Sequence, residues 1–194
     1  IDAIRFVNLV PGISGSGAHT GNDVVLCEAP NGQLGYDGTT PSLSYFPKGT
    51  GNQYIYTAGP WVGGIAASGI PIVAEASHAS EFVPSQIANT GQPFRVFNSS
   101  IPMDKKAWPP EFSSASGKPI IVSGAENLVV QYNDLYGTPL RTVHQPLGIE
   151  IRQRSLAYGD TSKRSALIFF WEVKNVSAGP INNAYFAFWG DVDI

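Results

Sequence analysis

The stretch that decides the fold lies in the last third of the chain: Gly148-Ile149-Glu150-Ile151-Arg152-Gln153-Arg154-Ser155-Leu156-Ala157-Tyr158. Apolar and polar residues alternate along it, the two-residue period of a strand with one buried and one wet face. Next comes Ala166-Leu167-Ile168-Phe169-Phe170-Trp171-Glu172-Val173-Lys174-Asn175, mostly apolar and alternating only at its end. Ala184-Tyr185-Phe186-Ala187-Phe188-Trp189 is the third such run. Asp160-Thr161-Ser162-Lys163 and Ser177-Ala178-Gly179-Pro180 between them have turn composition. Three long consecutive strands with short connectors predict an antiparallel meander.

Working outward, shorter strand signals recur at 4–10, 24–27, 54–57, 61–66, 70–74, 94–97, 120–122 and 128–132, with Gly59-Pro60 read as a turn between two of them. Helical signals are nearly absent, because Gly or Pro interrupts almost every window long enough to hold a helix. Residues 12–17 and 31–38 read as turns. Residues 104–117, with Trp108-Pro109-Pro110, form neither a regular strand nor an uninterrupted helix. There is no internal repeat and no domain boundary. The expectation is a single all-β domain over 1–194: an antiparallel β-sandwich, jelly-roll-like or of a related two-sheet architecture, with long loops.

Composition excludes several classes. The 194 residues can bury a sizeable core without disulfides. Charged residues make up 14% of the chain, against about 25% in an average domain. The 21 Gly and 15 Pro are well above average usage, and aromatics reach 11%. A disordered chain would have few aromatics and more net charge. A nucleic-acid binder would carry a basic excess, whereas this chain carries −3. No apolar run reaches the length of a membrane-spanning helix. Cys27 stands alone, so no internal disulfide forms, and Glu28 beside it disfavours a reactive thiolate. With Gly, Asn, Ser and Thr carrying the polarity and Lys scarce, the expected location is extracellular or at a cell surface. Asn98-Ser99-Ser100 and Asn175-Val176-Ser177 match the glycosylation pattern, which short sequences often do by chance.

Candidate chemistry is sparse. Gly12-Ile13-Ser14-Gly15-Ser16-Gly17 lacks the strand-before, helix-after context of a dinucleotide loop. His19, His78 and His144 show no metal spacing, and no G-x-S-x-G elbow supplies a nucleophile. Glu75, Glu81, Glu150 and Glu172 sit on or near strands, but nothing in the sequence pairs two of them across a cleft. The metal candidate is Asp191 with Asp193: alternate strand residues point the same way, and their oxygens suit calcium. Trp108 and Trp61 are the candidates for stacking on a sugar ring, although aromatics more often fill sandwich cores. No catalytic residue and no cofactor are assigned.

The ordered motifs resemble a known group. They are Tyr45-Phe46-Pro47-Lys48-Gly49-Thr50-Gly51 with Tyr54, Ala58-Gly59-Pro60-Trp61 and Gly63-Gly64; then Trp108-Pro109-Pro110-Glu111-Phe112; then Tyr132-Asn133-Asp134. Pro146-Leu147-Gly148-Ile149-Glu150 follows, with Gln153, Ala157 and Tyr158, and then the run 169–194, with Trp171 where relatives more often carry Tyr. In this order they resemble large secreted or surface-exposed bacterial proteins of poorly defined function. Such proteins often carry fibronectin-like modules and a sorting domain for type IX secretion. The resemblance covers most of the chain and brings no established catalytic residues. It implies a fragment truncated near Ile194, with an acidic continuation that could complete a calcium site.

Three functions are in view. The first is a non-enzymatic extracellular structural protein, self-assembling into a filament, surface layer or matrix, its aromatic last strand pairing with a neighbour. The second is a glycan- or polymer-binding module. The third is an accessory domain of a secreted hydrolase.

Overall fold

The computed structural model describes residues 15–35, 44–76, 81–135 and 145–192. The strand-like stretch at 4–10, His78, His144 and Asp193 lie outside them. In chain order the elements are β1 (Gly17–His19), β2 (Leu26–Glu28), β3 (Ile55–Ile65), β4 (Pro71–Glu75), β5 (Val83–Pro84), β6 (Phe97–Asn98), the short helix α1 (Pro102–Lys106), a 3₁₀ turn at Pro110–Phe112, β7 (Ala125–Asn133), β8 (Ile149–Tyr158), β9 (Leu167–Asn175) and β10 (Asn182–Val192).

The fold is all-β and antiparallel, two open sheets facing each other. One has the order β10-β3-β4. The short pair β1-β2 joins it through Leu34, which bridges Glu28 on one side and Ala58 on the other. The second sheet runs β7-β8-β9, with β5 and β6 both on the far side of β7. Val62, Ile72 and Ala74 of the first sheet pack against Leu128, Val130, Tyr132, Ile149 and Ile151 of the second. Fully burying a side chain of this size contributes about 1.5–3 kcal/mol.

Sequence reading and structure agree on the β8-β9 pair and differ at three places. The expected meander stops at β9, because β10 crosses to the other sheet and pairs with β3 from Ile55 to Ile65. The rings of Phe186 and Phe188 reach Trp171 of β9 in the other sheet. Gly59-Pro60 is no turn, since β3 runs straight through it for 11 residues. Pro60 is tolerated because β4 ends at Glu75, opposite Trp61, and only the Pro60 carbonyl is needed, accepting from the Ala76 amide. Gly59 is required there, since a methyl group on it would lie 3.0 Å from the Ala76 backbone. Residues 120–122 form no strand. Instead the Asn127 side chain accepts from the Val122 amide and donates to its carbonyl, and the Ile120 amide donates to the Phe112 carbonyl.

The two flanks of the sandwich are unlike. On one, β1 lies flat against β6 and β7: the Val96 amide donates to the Gly15 carbonyl, and a methyl on Gly17 would sit 2.8 Å from Val96 Cγ1. On the other, β9 and β10 end their sheets, with no further strand bonded to either among the described residues.

Candidate functional site

Two clusters carry the chemistry of the described residues. The first is a buried polar network on the closed flank. β1 delivers His19, β2 Glu28, β7 Glu126 and β8 Ser155, and the four side chains are shielded from solvent. The alternation of β8 explains how they meet. Its inward positions are Ile149, Ile151, Gln153, Ser155 and Ala157, so two polar residues face the core.

His19 Nε2 lies 2.7 Å from Ser155 Oγ, and Nδ1 lies 3.2 Å from Glu126 Oε2. Ser155 Oγ donates to Glu28, whose other oxygen accepts from Gln153 Nε2 at 3.0 Å. Gln153 Oε1 in turn accepts from Tyr132 Oη and Trp171 Nε1, both at 2.8 Å. Glu126 Oε2 also takes the backbone amides of Thr20 and Gly21, and its Oε1 takes Asn98 Nδ2 at 2.9 Å.

The ionisation follows from these contacts. Burial by itself pushes the imidazole pKa down, but Glu126 and Glu28 outweigh it and raise His19 to about 9. Burial pushes Glu126 up, and its bonds from His19, Asn98 and Thr20 outweigh that, lowering it to about 2. At neutral pH the cluster therefore holds an imidazolium against the Glu126 carboxylate.

Serine, histidine and glutamate here have the connectivity of a hydrolytic triad, but the protons run the wrong way. The imidazolium donates on both nitrogens, so it has no lone pair to take the Ser155 proton, and that proton is directed to Glu28. Ser155 is also fully buried. The network ties four strands together.

The second cluster is the open flank. Phe169 stacks on Trp171 at 5.3 Å between centroids, and Trp171 meets Phe186 at 5.4 Å and Phe188 at 5.6 Å. Around them the exposure is high: Phe170 55%, Tyr185 57%, Phe186 42% and Phe188 52%. Large apolar side chains on two adjacent sheet ends exceed the scattered single exposures of an ordinary surface.

The residues singled out from sequence fall as follows. Trp108 is buried, its indole N–H donating to the Phe112 carbonyl, so it serves the core beneath the 3₁₀ turn. Trp61 is half-buried and stacks on Trp189 at 6.2 Å on the outer face of the first sheet. Asp191 is half-buried on β10 opposite Thr57, and its expected companion Asp193 is outside the described residues. Among the described residues no three His, Cys, Asp or Glu side chains are placed to hold a metal ion. Cys27 is buried, and so is Asn98, whose amide is engaged by Glu126, whereas Asn175 is exposed.

Two of the quoted motifs meet. The buried Asp134 carboxylate accepts from the backbone amides of Leu147, Gly148 and Ile149, joining the end of β7 to the start of β8. Sequence reading passed over Glu28, Glu126 and Ser155, which lie more than a hundred residues apart from one partner or another. The one available signal was Gln153 and Ser155 at inward parity on β8.

Compared with models of protein families, with curated proteins and with solved structures, the chain has no match.

Proposed function

We propose that this chain is a non-enzymatic structural protein of an extracellular surface, filament or matrix, and that it works by associating through its open flank. The observation that carries this reading is the pair of long terminal strands, β10 with exposed Tyr185, Phe186 and Phe188 and β9 with exposed Phe170. The 11-residue edge of β10, with no further strand bonded to it among the described residues, is a strong template for another strand. The charge-poor composition supports it, since a surface with few charges meets other protein at low desolvation cost. The resemblance to large secreted bacterial surface proteins agrees with the location.

Sedimentation velocity from micromolar to millimolar concentration tests the reading. The expected result is a concentration-dependent shift to dimers or longer assemblies. A monomer throughout overturns it, as does binding to a polysaccharide that is lost in Trp61→Ala, which would put a glycan-binding module in its place.

A further inference from the structure

We infer that β10 is the edge through which two copies join, pairing antiparallel across a two-fold axis at Ala187 to make one continuous sheet ordered β4-β3-β10-β10-β3-β4. The inference rests on the self-association proposed above and names its surface and register.

The backbone of β10 sets which residues can pair. Ala58 and Leu34 exchange both of their backbone hydrogen bonds, and the Pro60 carbonyl accepts from Ala76, so both β3 residues direct their polar groups away from β10. Their partners on β10 are Gly190 and Phe188. In an antiparallel ladder these are non-hydrogen-bonded pairs, so the N–H and C=O of Gly190 and Phe188 point to the free edge. By the two-residue period, those of Phe186 do so as well. Three outward residues are thus offered in a row, with no strand on that side among the described residues.

A two-fold axis at Ala187 uses Phe186 and Phe188 of the three. Phe186 of one copy then exchanges hydrogen bonds with Phe188 of the other. On one face Phe186 stands across from Phe188, and on the other Tyr185 stands across from Trp189. Aromatic pairs of this kind stabilise a cross-strand ladder relative to alanine pairs. The two Asp191 residues lie at opposite ends of the pairing, so no like charges meet.

The other sheet edges are guarded where β10 is not. β9 carries Glu172 and Lys174, both exposed, and β4 is five residues long with Pro71 and Glu75 at its ends. Charges, proline and shortness are the means by which edges resist pairing. From Asn182 to Gly190, β10 has neither a charge nor a proline.

Ala187→Cys tests the register. Ala187 is exposed, and at the axis it faces its own copy in a non-hydrogen-bonded pair, where Cα atoms approach to about 4.5 Å, within disulfide reach. Mild oxidation should give a covalent dimer, while Phe170→Cys on β9 should stay uncrosslinked. The native Cys27 is buried and does not compete. Phe188→Pro supplies the second readout. It deletes an outward N–H without removing a β10–β3 bond, so thermal unfolding should stay cooperative while dimerisation weakens at least about tenfold. If the wild-type protein assembles but Ala187→Cys does not cross-link and Phe188→Pro still associates, the β10 inference fails and the structural reading stands. If the wild-type protein is a monomer at every concentration, both fail.

Discussion

On the closed flank of the sandwich, β1, β2, β7 and β8 are held by a buried cation against the Glu126 carboxylate, with each polar atom given a partner. On the open flank, β9 and β10 end their sheets among the described residues, with aromatic rings toward solvent. A buried ionisable network thus marks one side, and a cluster of exposed aromatic rings the other. A charged network is costly to break and adds nothing toward a partner, because its hydrogen bonds are already made internally. Exposed apolar rings add little to the stability of the isolated chain and much to an association that covers them. The difference teaches that stability and assembly reside at opposite flanks, and four measurements can break or sharpen that division.

The largest effect is expected at Glu126. Glu126→Gln leaves the His19 imidazolium short of its main counter-charge and should cost about 3–5 kcal/mol, read as a lower urea midpoint at unchanged slope. A loss no greater than that of the Phe170 substitution described below would end the comparison.

The pH profile comes next. His19 is raised from 6.5 to about 9 on folding, so its contribution is complete below pH 6.5 and is lost as pH rises through 9. Glu126 is lowered from 4.5 to about 2, so its contribution is complete above pH 4.5 and is lost as pH falls through 2. Stability should therefore peak between about pH 4.5 and 6.5 and decline by on the order of 3 kcal/mol toward pH 9. His19→Gln should flatten the alkaline limb. A wild-type profile level from pH 6 to 9 would mean the imidazole is neutral in the folded protein.

Trp171 joins the two flanks, its ring among the exposed aromatics and its N–H on Gln153. Trp171→Phe keeps a ring and removes one hydrogen bond, while Gln153 Oε1 still accepts from Tyr132. The expected loss is about 1 kcal/mol by thermal unfolding. A cost near that of Glu126→Gln would show the flanks to be energetically coupled.

The smallest stability effect is expected at Phe170. Phe170→Ser removes an exposed ring and should shift unfolding by no more than about 0.5 kcal/mol. A larger loss would mean that the open flank already works in the fold of the single chain.

Much of the architecture was legible because strand patterning is local. Residues 148–158 alternate, and β8 covers Ile149–Tyr158 with its odd-numbered residues turned inward. Asn182–Val192 extends the aromatic run 184–189 by a few residues at each end. The failures were positions where a local rule met a distant partner. Gly59-Pro60 has turn composition, yet a strand passes through because Ala76 crowds Gly59 and asks of Pro60 only its carbonyl. Residues 120–122 are apolar and short, and their hydrogen bonds go to the Asn127 side chain at Val122 and to the Phe112 carbonyl at Ile120 instead of to a strand. Of the candidate residues, Trp108 went to the core, and neither Trp61 nor Asp191 revealed the open flank. That flank was visible in sequence only as an aromatic last strand. The His19 network was visible only as two polar residues at inward positions of β8.

The sequence by itself determined the all-β class, the three long strands after residue 148 and the scarcity of charge, since each depends on neighbours along the chain. Only the tertiary structure decided that β10 would leave the meander for β3, that His19, Glu28, Glu126 and Ser155 would share one buried site, and that β9 and β10 would, among the described residues, end their sheets side by side. Pairing and burial depend on which distant segments meet, and hydrophobic alternation records that a face is buried without recording what buries it.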